Sequence, residues 1–154
     1  PGHGLEAMWF IMDLGKQYHR PDWIEKSVQC ALSIVEKGWD QKHQGIFYFL
    51  DAEGHPPQQL EWDQKLWWVH LEAMICFLKG YQLTQNQACF EWFKKIHTYT
   101  WNHFRDPVKG GEWYGYLNRQ GKVFLPLKGG KWKGCFHVPR ALLKLYQIST
   151  QLQL

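Results

Sequence analysis

The chain has 154 residues, which predicts one domain at the usual size of about 150. Hydrophobic residues make up 45% and charged residues 21%, a globular balance that excludes a disordered chain. The net charge of +4 is scattered rather than gathered into a basic run, and no apolar run is long enough to span a bilayer. Nucleic-acid binding and a membrane role are therefore disfavoured.

The four cysteines (Cys30, Cys76, Cys89 and Cys135) show no CxxC spacing, and three lie in apolar helical patterns. Free Cys there behaves as a small buried hydrophobe, so a reduced, cytoplasmic setting fits best. Aromatic content is unusual, at 17% with ten Trp. Either the chain packs against further protein, or indoles line a cleft for flat apolar faces such as sugar rings. The sequence opens at Pro1, directly at a helix entry, and reads as the C-terminal portion of something longer.

In chain order, Leu5, Met8, Trp9 and Met12 recur at helical spacing over residues 3–18. Asp22 is read as the N-cap of a second helix that turns Ile24, Val28, Ala31, Leu32 and Val35 inward and ends at Gly38. GIFYFL (45–50) followed by DAEGHPP reads as a strand and a turn. A third helix is expected over 63–81 and a fourth over 87–104, stopped by the Arg105-Asp106-Pro107 turn. A hairpin around Asn118–Gly121 and a Gly-rich loop, KGGKWKG, come next. Pro139 suits the first turn of a last helix carrying Leu142, Leu143, Leu145 and Tyr146.

A repeat underlies this order. FLDAEG (49–54) matches YLNRQG (116–121) at an offset of about 67, and His3, His70 and His137 fall at the same step. Paired helices with a hairpin, repeated about two and a half times, suggest an α-solenoid or a closed α/α toroid. In a toroid the segments entering at His3, Trp67 and His137 share one rim.

The chemical residues gather at those entries. His3 and Glu6 share a helix face, where the carboxylate can fix the imidazole tautomer; the alternative is an exposed His beside a Glu that favours the helix dipole. Glu72 lies between Leu71 and Ala73 in an apolar helix, so it needs a polar cavity or a cationic partner. Trp67 and Trp68 cannot both face one way, and one of them lines the cleft or both are core. His70 is read as packing or hydrogen bonding rather than catalytic. His137 sits at a helix entry with Arg140 three residues on, able to hold an oxyanion while His137 moves a proton. A basic surface turn is the alternative there. GGKWKG is not GxxxxGK[ST], so nucleotide hydrolysis is disfavoured, and no metal-binding motif is present.

PGHGLEA, KLWWVHLEA and KGGKWKGCFHVPRAL, in this order and spacing, resemble the C-terminal part of N-acyl-D-glucosamine 2-epimerases, called renin-binding proteins in animals. GWDQKHQGIFYFLDAEGHPPQQLEWDQKLWW looks like the same family, and GCFHVPR points to this branch rather than to cellobiose 2-epimerases. The resemblance implies a mainly α fold: residues 1–154 as one domain, a partial (α/α)6 barrel with short β-hairpins between helix pairs. It implies interconversion of N-acetylglucosamine and N-acetylmannosamine, with His3 and His137 as the two catalytic bases. Glu6 would support His3, and Glu72 and Arg140 match a site carboxylate and a site Arg. Trp67 and Trp132 would line the sugar site. His70 stands where relatives often have Gln. No cofactor or metal is implied for the chemistry. ATP or another nucleotide is implied as an activator, a homodimer as the assembly, and renin as a protein partner. Three other readings stay open: an aldose–ketose isomerase or cellobiose 2-epimerase-like enzyme, an inverting glycosidase using Glu61, Asp63, Glu72 or Glu112, and a non-catalytic protein-binding module.

Overall fold

A computed structural model describes residues 1–108 and 111–154. Helix α1 (Gly2–Gln17) forms where the sequence spacing places it, burying Leu5, Trp9 and Met12 on one stripe. Three residues later α2 (Pro21–Gly38) folds back along it. The expected cap is corrected here. Pro21, with its fixed φ and no N–H to satisfy, occupies the first helical position, so Arg20 is the N-cap and Asp22 lies inside the first turn. The Asp22 carboxylate instead accepts from Arg20 Nε at 2.8 Å.

The segment GIFYFL does not form a strand. The Tyr48 and Phe49 amides both donate to the Trp62 carbonyl, at 3.1 Å each, whereas successive amides of a pleated strand point opposite ways. Only Ile46 makes a bridge, to Trp39. Strand β1 (Lys65–Leu66) pairs antiparallel with β2 (Tyr116–Leu117), which pairs with β3 (Val123–Leu125). This pairing holds Lys65 and Leu66 extended, so α3 (Trp67–Thr84) starts four residues later than its sequence suggests. Asn86 caps α4 (Gln87–His103), its Oδ1 accepting the Ala88 amide at 2.9 Å. Helix α5 (His137–Leu152) has Pro139 in its first turn as expected.

Helix α3 is the centre of the molecule. Every residue from Trp67 to Gly80 is buried, because α1 and α5 flank it while α2 and α4 pack behind. The inner helices α1, α3 and α5 bring their N-terminal ends to one cavity. Their other ends meet at Asp13, Lys79 and Lys144.

The internal repeat is visible in the loops. Asp51 Oδ1 accepts the Glu53 and His55 amides, and Asn118 Oδ1 accepts that of Lys122. Each turn closes on a left-handed glycine, Gly54 at φ +86° and Gly121 at φ +79°. A second pair accompanies it: Asp40 accepts from Lys65 after α2, and Asp106 from Lys128 after α4.

Leu142, Leu143 and Tyr146 do not enter the core; α5 buries Val138, Ala141, Leu145 and Ile148 instead. Phe10, Leu14 and Trp23 are likewise exposed on α1 and α2. Cys76 and Cys89 are buried, Cys30 is half-buried and Cys135 is exposed. Among the described residues no helix is long and apolar enough to cross a membrane.

Candidate active site

The cavity at the inner helix entries encloses about 540 Å³, a volume that suits a small ligand such as a monosaccharide. His3, Glu6, Trp67, Trp68, Trp132 and His137 line it. Glu72 and Arg140 lie just behind that wall. The residues singled out in the sequence thus converge, although His3 and His137 are 134 positions apart.

The His rings share one neighbour. The Trp68 ring lies 4.8 Å from His3 and 5.7 Å from His137. Trp67 packs deeper, edge-on to Tyr116 at 5.3 Å and to His137 at 6.3 Å. Both indoles therefore reach the site, and it is Trp68 that touches both imidazoles. Trp132, on the Gly-rich loop, is 73% exposed, which leaves its face open to a ligand.

Behind His137 stands a fully buried carboxylate. Glu72 Oε1 accepts from His137 Nδ1 at 2.7 Å and from Arg140 Nη2, and Oε2 accepts from Trp9 Nε1 at 2.9 Å. Burial alone would push the Glu72 carboxyl up. The bonds from His137 and Trp9, with the Arg140 guanidinium, outweigh it and hold the group below its ordinary range. An ionised Glu72 only accepts, so His137 carries its proton on Nδ1 and leaves Nε2 as the basic nitrogen. The 3.4 Å approach of Arg140 Nη2 to the same Nδ1 is then proximity between two donors.

Two expected roles change. Glu6 does not back His3; its Oε1 accepts from Arg140 Nη2 at 3.0 Å, and among the described residues no hydrogen bond reaches the His3 ring. The reason is packing: α5 brings a guanidinium to Glu6, and a charged partner outcompetes an imidazole one turn away. Arg140 itself bridges Glu6 and Glu72 through Nη2, so it clamps the two carboxylates.

Glu6, Glu72 and His137 could together hold a metal, since their donor atoms lie within 4.8 Å of one another. The donor set does not fit one well, because Arg140 already places a cation between the two carboxylates. The convergent helix ends add a different electrostatic element. The N-termini of α1, α3 and α5 all point at the cavity, a field that favours negative charge on a bound molecule.

His70 is structural, as expected. Its Nδ1 donates to the Leu66 carbonyl at 2.8 Å and its Nε2 accepts the Ile46 amide at 2.9 Å. Burial drives its pKa down to about 3, so it is neutral in the fold.

The sequence did not single out Trp9, Tyr48, Gln64, Tyr116 or Phe136. The last four line the cavity, and Tyr48, Tyr116 and Phe136 complete an aromatic wall with Trp132. Trp9 carried a usable signal: a buried indole needs an acceptor, and Glu72 needs donors.

Residues 1–141 match the family model described as N-acylglucosamine 2-epimerase (GlcNAc 2-epimerase). The chain is 49% identical over 149 residues to the N-acylglucosamine 2-epimerase of Mus musculus, covering 96% of this chain and 35% of that protein. It is 51% identical over 146 residues to that of Bos taurus, covering 92% and 34%. It thus spans about a third of the length of these relatives. A crystal structure of D-mannose isomerase superposes with a TM-score of 0.84 at 22% identity, over 96% of this chain and 36% of that one. The fold is accordingly mainly α and corresponds to part of an (α/α)6 barrel.

Proposed function

The chain belongs to the N-acylglucosamine 2-epimerase family, and from that membership we propose that it supplies the two-histidine machinery of a 2-epimerase that interconverts N-acetylglucosamine and N-acetylmannosamine. The observation that carries the reading is the Glu72–His137 pair, set in a cavity that also holds His3.

Epimerisation at C2 begins from the open-chain sugar, where the C2 proton is acidified by the adjacent C1 carbonyl. One imidazole removes that proton, and the electron pair moves onto the carbonyl oxygen as an enolate. The other imidazole delivers a proton to the opposite face of C2, the oxygen charge collapses back to C=O, and the epimer recloses. His137 suits one of these steps. With Nδ1–H held by Glu72, Nε2 takes the proton and the carboxylate compensates the imidazolium that forms. His3, against the same Trp68, serves the other face. The three helix N-termini stabilise the enolate. Aromatic faces of Trp132, Tyr48 and Tyr116 hold the apolar sides of the sugar.

A glycosidase reading is weaker. Glu72 has both oxygens occupied, Glu112 is bound to Lys133 at 3.1 Å, Glu6 is bound to Arg140, and Asp63 is not among the residues lining the cavity, which leaves Glu61 without a second free carboxylate there. The family resemblance extends the proposal to a cytoplasmic homodimer with no cofactor in the chemistry, a nucleotide as activator, and renin as a protein partner.

The test is incubation of N-acetylglucosamine in deuterium oxide with the protein that contains this chain. N-acetylmannosamine carrying deuterium at C2 is the expected product. A ketose formed from an aldose that carries a C2 hydroxyl, with no deuterium entering N-acetylglucosamine, would assign an aldose–ketose isomerase instead, and a released reducing sugar from a glycoside would assign a hydrolase.

A further inference from the structure

Trp9 lies on α1 two turns beyond His3, and only 2% of its surface is exposed. It is the one residue on α1 that hydrogen-bonds Glu72 on α3, which in turn holds His137 on α5. Among the described residues no other hydrogen bond reaches Glu72 Oε2.

The indole is itself held firmly. Three cations surround its ring, Lys144 at 4.8 Å, Lys79 at 4.9 Å and Arg140 at 5.4 Å, and Phe10 packs at 4.1 Å. A carboxylate can rotate about its last bond unless both oxygens are engaged. His137 and Arg140 converge on Oε1 alone, so they do not fix the plane by themselves.

We propose that Trp9 is a positioning residue for the proton-transfer site: its indole N–H, bound to Oε2, sets the carboxylate plane of Glu72 so that Oε1 meets His137 Nδ1. This deepens the epimerase reading and rests on it for its effect on turnover. The geometric part stands without it. The charged and titratable groups facing Glu72 are Glu6 from α1, His137 and Arg140 from α5, and Cys76 on its own helix. None of these sits on Oε2, so removal of the indole N–H leaves that oxygen buried without a donor.

The experiment uses the protein that contains this chain, with ¹³C-labelled glutamate and ¹⁵N-labelled histidine. Trp9→Phe keeps an aromatic ring and deletes the N–H. The midpoint of Glu72 protonation should rise by about one pH unit, the equivalent of about a tenfold change in the protonation equilibrium. The His137 Nδ1–H resonance should lose its protection from exchange. Turnover should fall about tenfold with KM little changed, the pattern of a lost transition-state interaction. If Trp9→Phe does not fold, benzothienylalanine at position 9 decides the matter, since it retains the bicyclic ring and lacks only the donor. An unchanged Glu72 titration and an unchanged His137 resonance in the folded variant, whatever the melting temperature, would reduce Trp9 to packing. Should the parent protein move no C2 proton, the epimerase reading fails, and the two NMR readouts still decide the role of Trp9.

Discussion

His70 and His137 occupy the same register of the internal repeat, yet they stand in opposite chemical situations. At the α3 entry both nitrogens of His70 are bound to backbone, the residue is fully buried, and the ring is fixed as a neutral strut. At the α5 entry only Nδ1 of His137 is bound, to a carboxylate, and the ring lines the cavity. The partner types explain the difference. A carbonyl and an amide can satisfy an imidazole but cannot compensate a charge on it, whereas Glu72 can. Of these two histidines, His137 is the candidate base because one nitrogen is left over and the other faces an anion.

The largest separation between the two regions should come from deleting each ring. His137→Ala is expected to reduce interconversion of the two epimers by about 10²–10⁴-fold, the scale of a lost general base. Normal interconversion by that variant would remove His137 from the mechanism. Glu72→Gln sharpens the comparison by making the partner of His137 as neutral as those of His70. The amide can no longer compensate the imidazolium, and turnover should fall about 10²-fold while His137 stays in place. Steady-state rates beside a structure of the variant would show whether geometry or charge was lost.

Gly2→Ala is expected to act on the first histidine through packing. A Cβ there would lie 2.6 Å from the Trp68 ring and 2.8 Å from Val69, so the α1 entry must shift and carry His3 with it. A displacement of that size should lower turnover about tenfold. An unaltered kcat would mean that the placement of His3 on Trp68 does not matter.

The smallest effect belongs to His70→Gln. Gln can accept the Ile46 amide and donate to Leu66, so activity should change less than about twofold. The effect lies in acid stability. The folded state holds His70 neutral down to about pH 3, while the unfolded chain takes up a proton near the ordinary 6.5. Between those values the unfolded state binds more protons, so stability is lost as pH falls through that window. Removing the group should flatten the loss by at most about 1.4 kcal/mol per pH unit, readable from denaturant melts at several pH values. Equal slopes for parent and variant would show that His70 titrates alike in both states.

Much of this arrangement was legible in the sequence because it depends on local signals. Apolar spacing in Leu5, Met8, Trp9 and Met12 and the stops at Gly38 and Pro107 are short-range, and the repeat offset tied the helix entries to one rim. The need of Glu72 for a partner followed from its apolar neighbours alone. What the sequence could not rank was competition between partners. Glu6 is three residues from His3, yet it binds an arginine that only the packing of α5 brings near. In the same way GIFYFL has the composition of a strand, but its amides follow the Trp62 carbonyl rather than a ladder. On α5 the apolar residues Leu142, Leu143 and Tyr146 stay exposed while Leu145 is buried, a division that composition alone does not show.

The central claim is that two different imidazoles serve the two faces of one carbon. It is tested most directly by a His3→Asn variant of the protein that contains this chain, given each epimer separately in deuterium oxide and followed by NMR at C2. With His137 intact, one epimer should acquire deuterium without being converted, and the other should acquire none. Deuterium entering both epimers, or conversion at the parent rate, would show that a single base reaches both faces and would contradict the account.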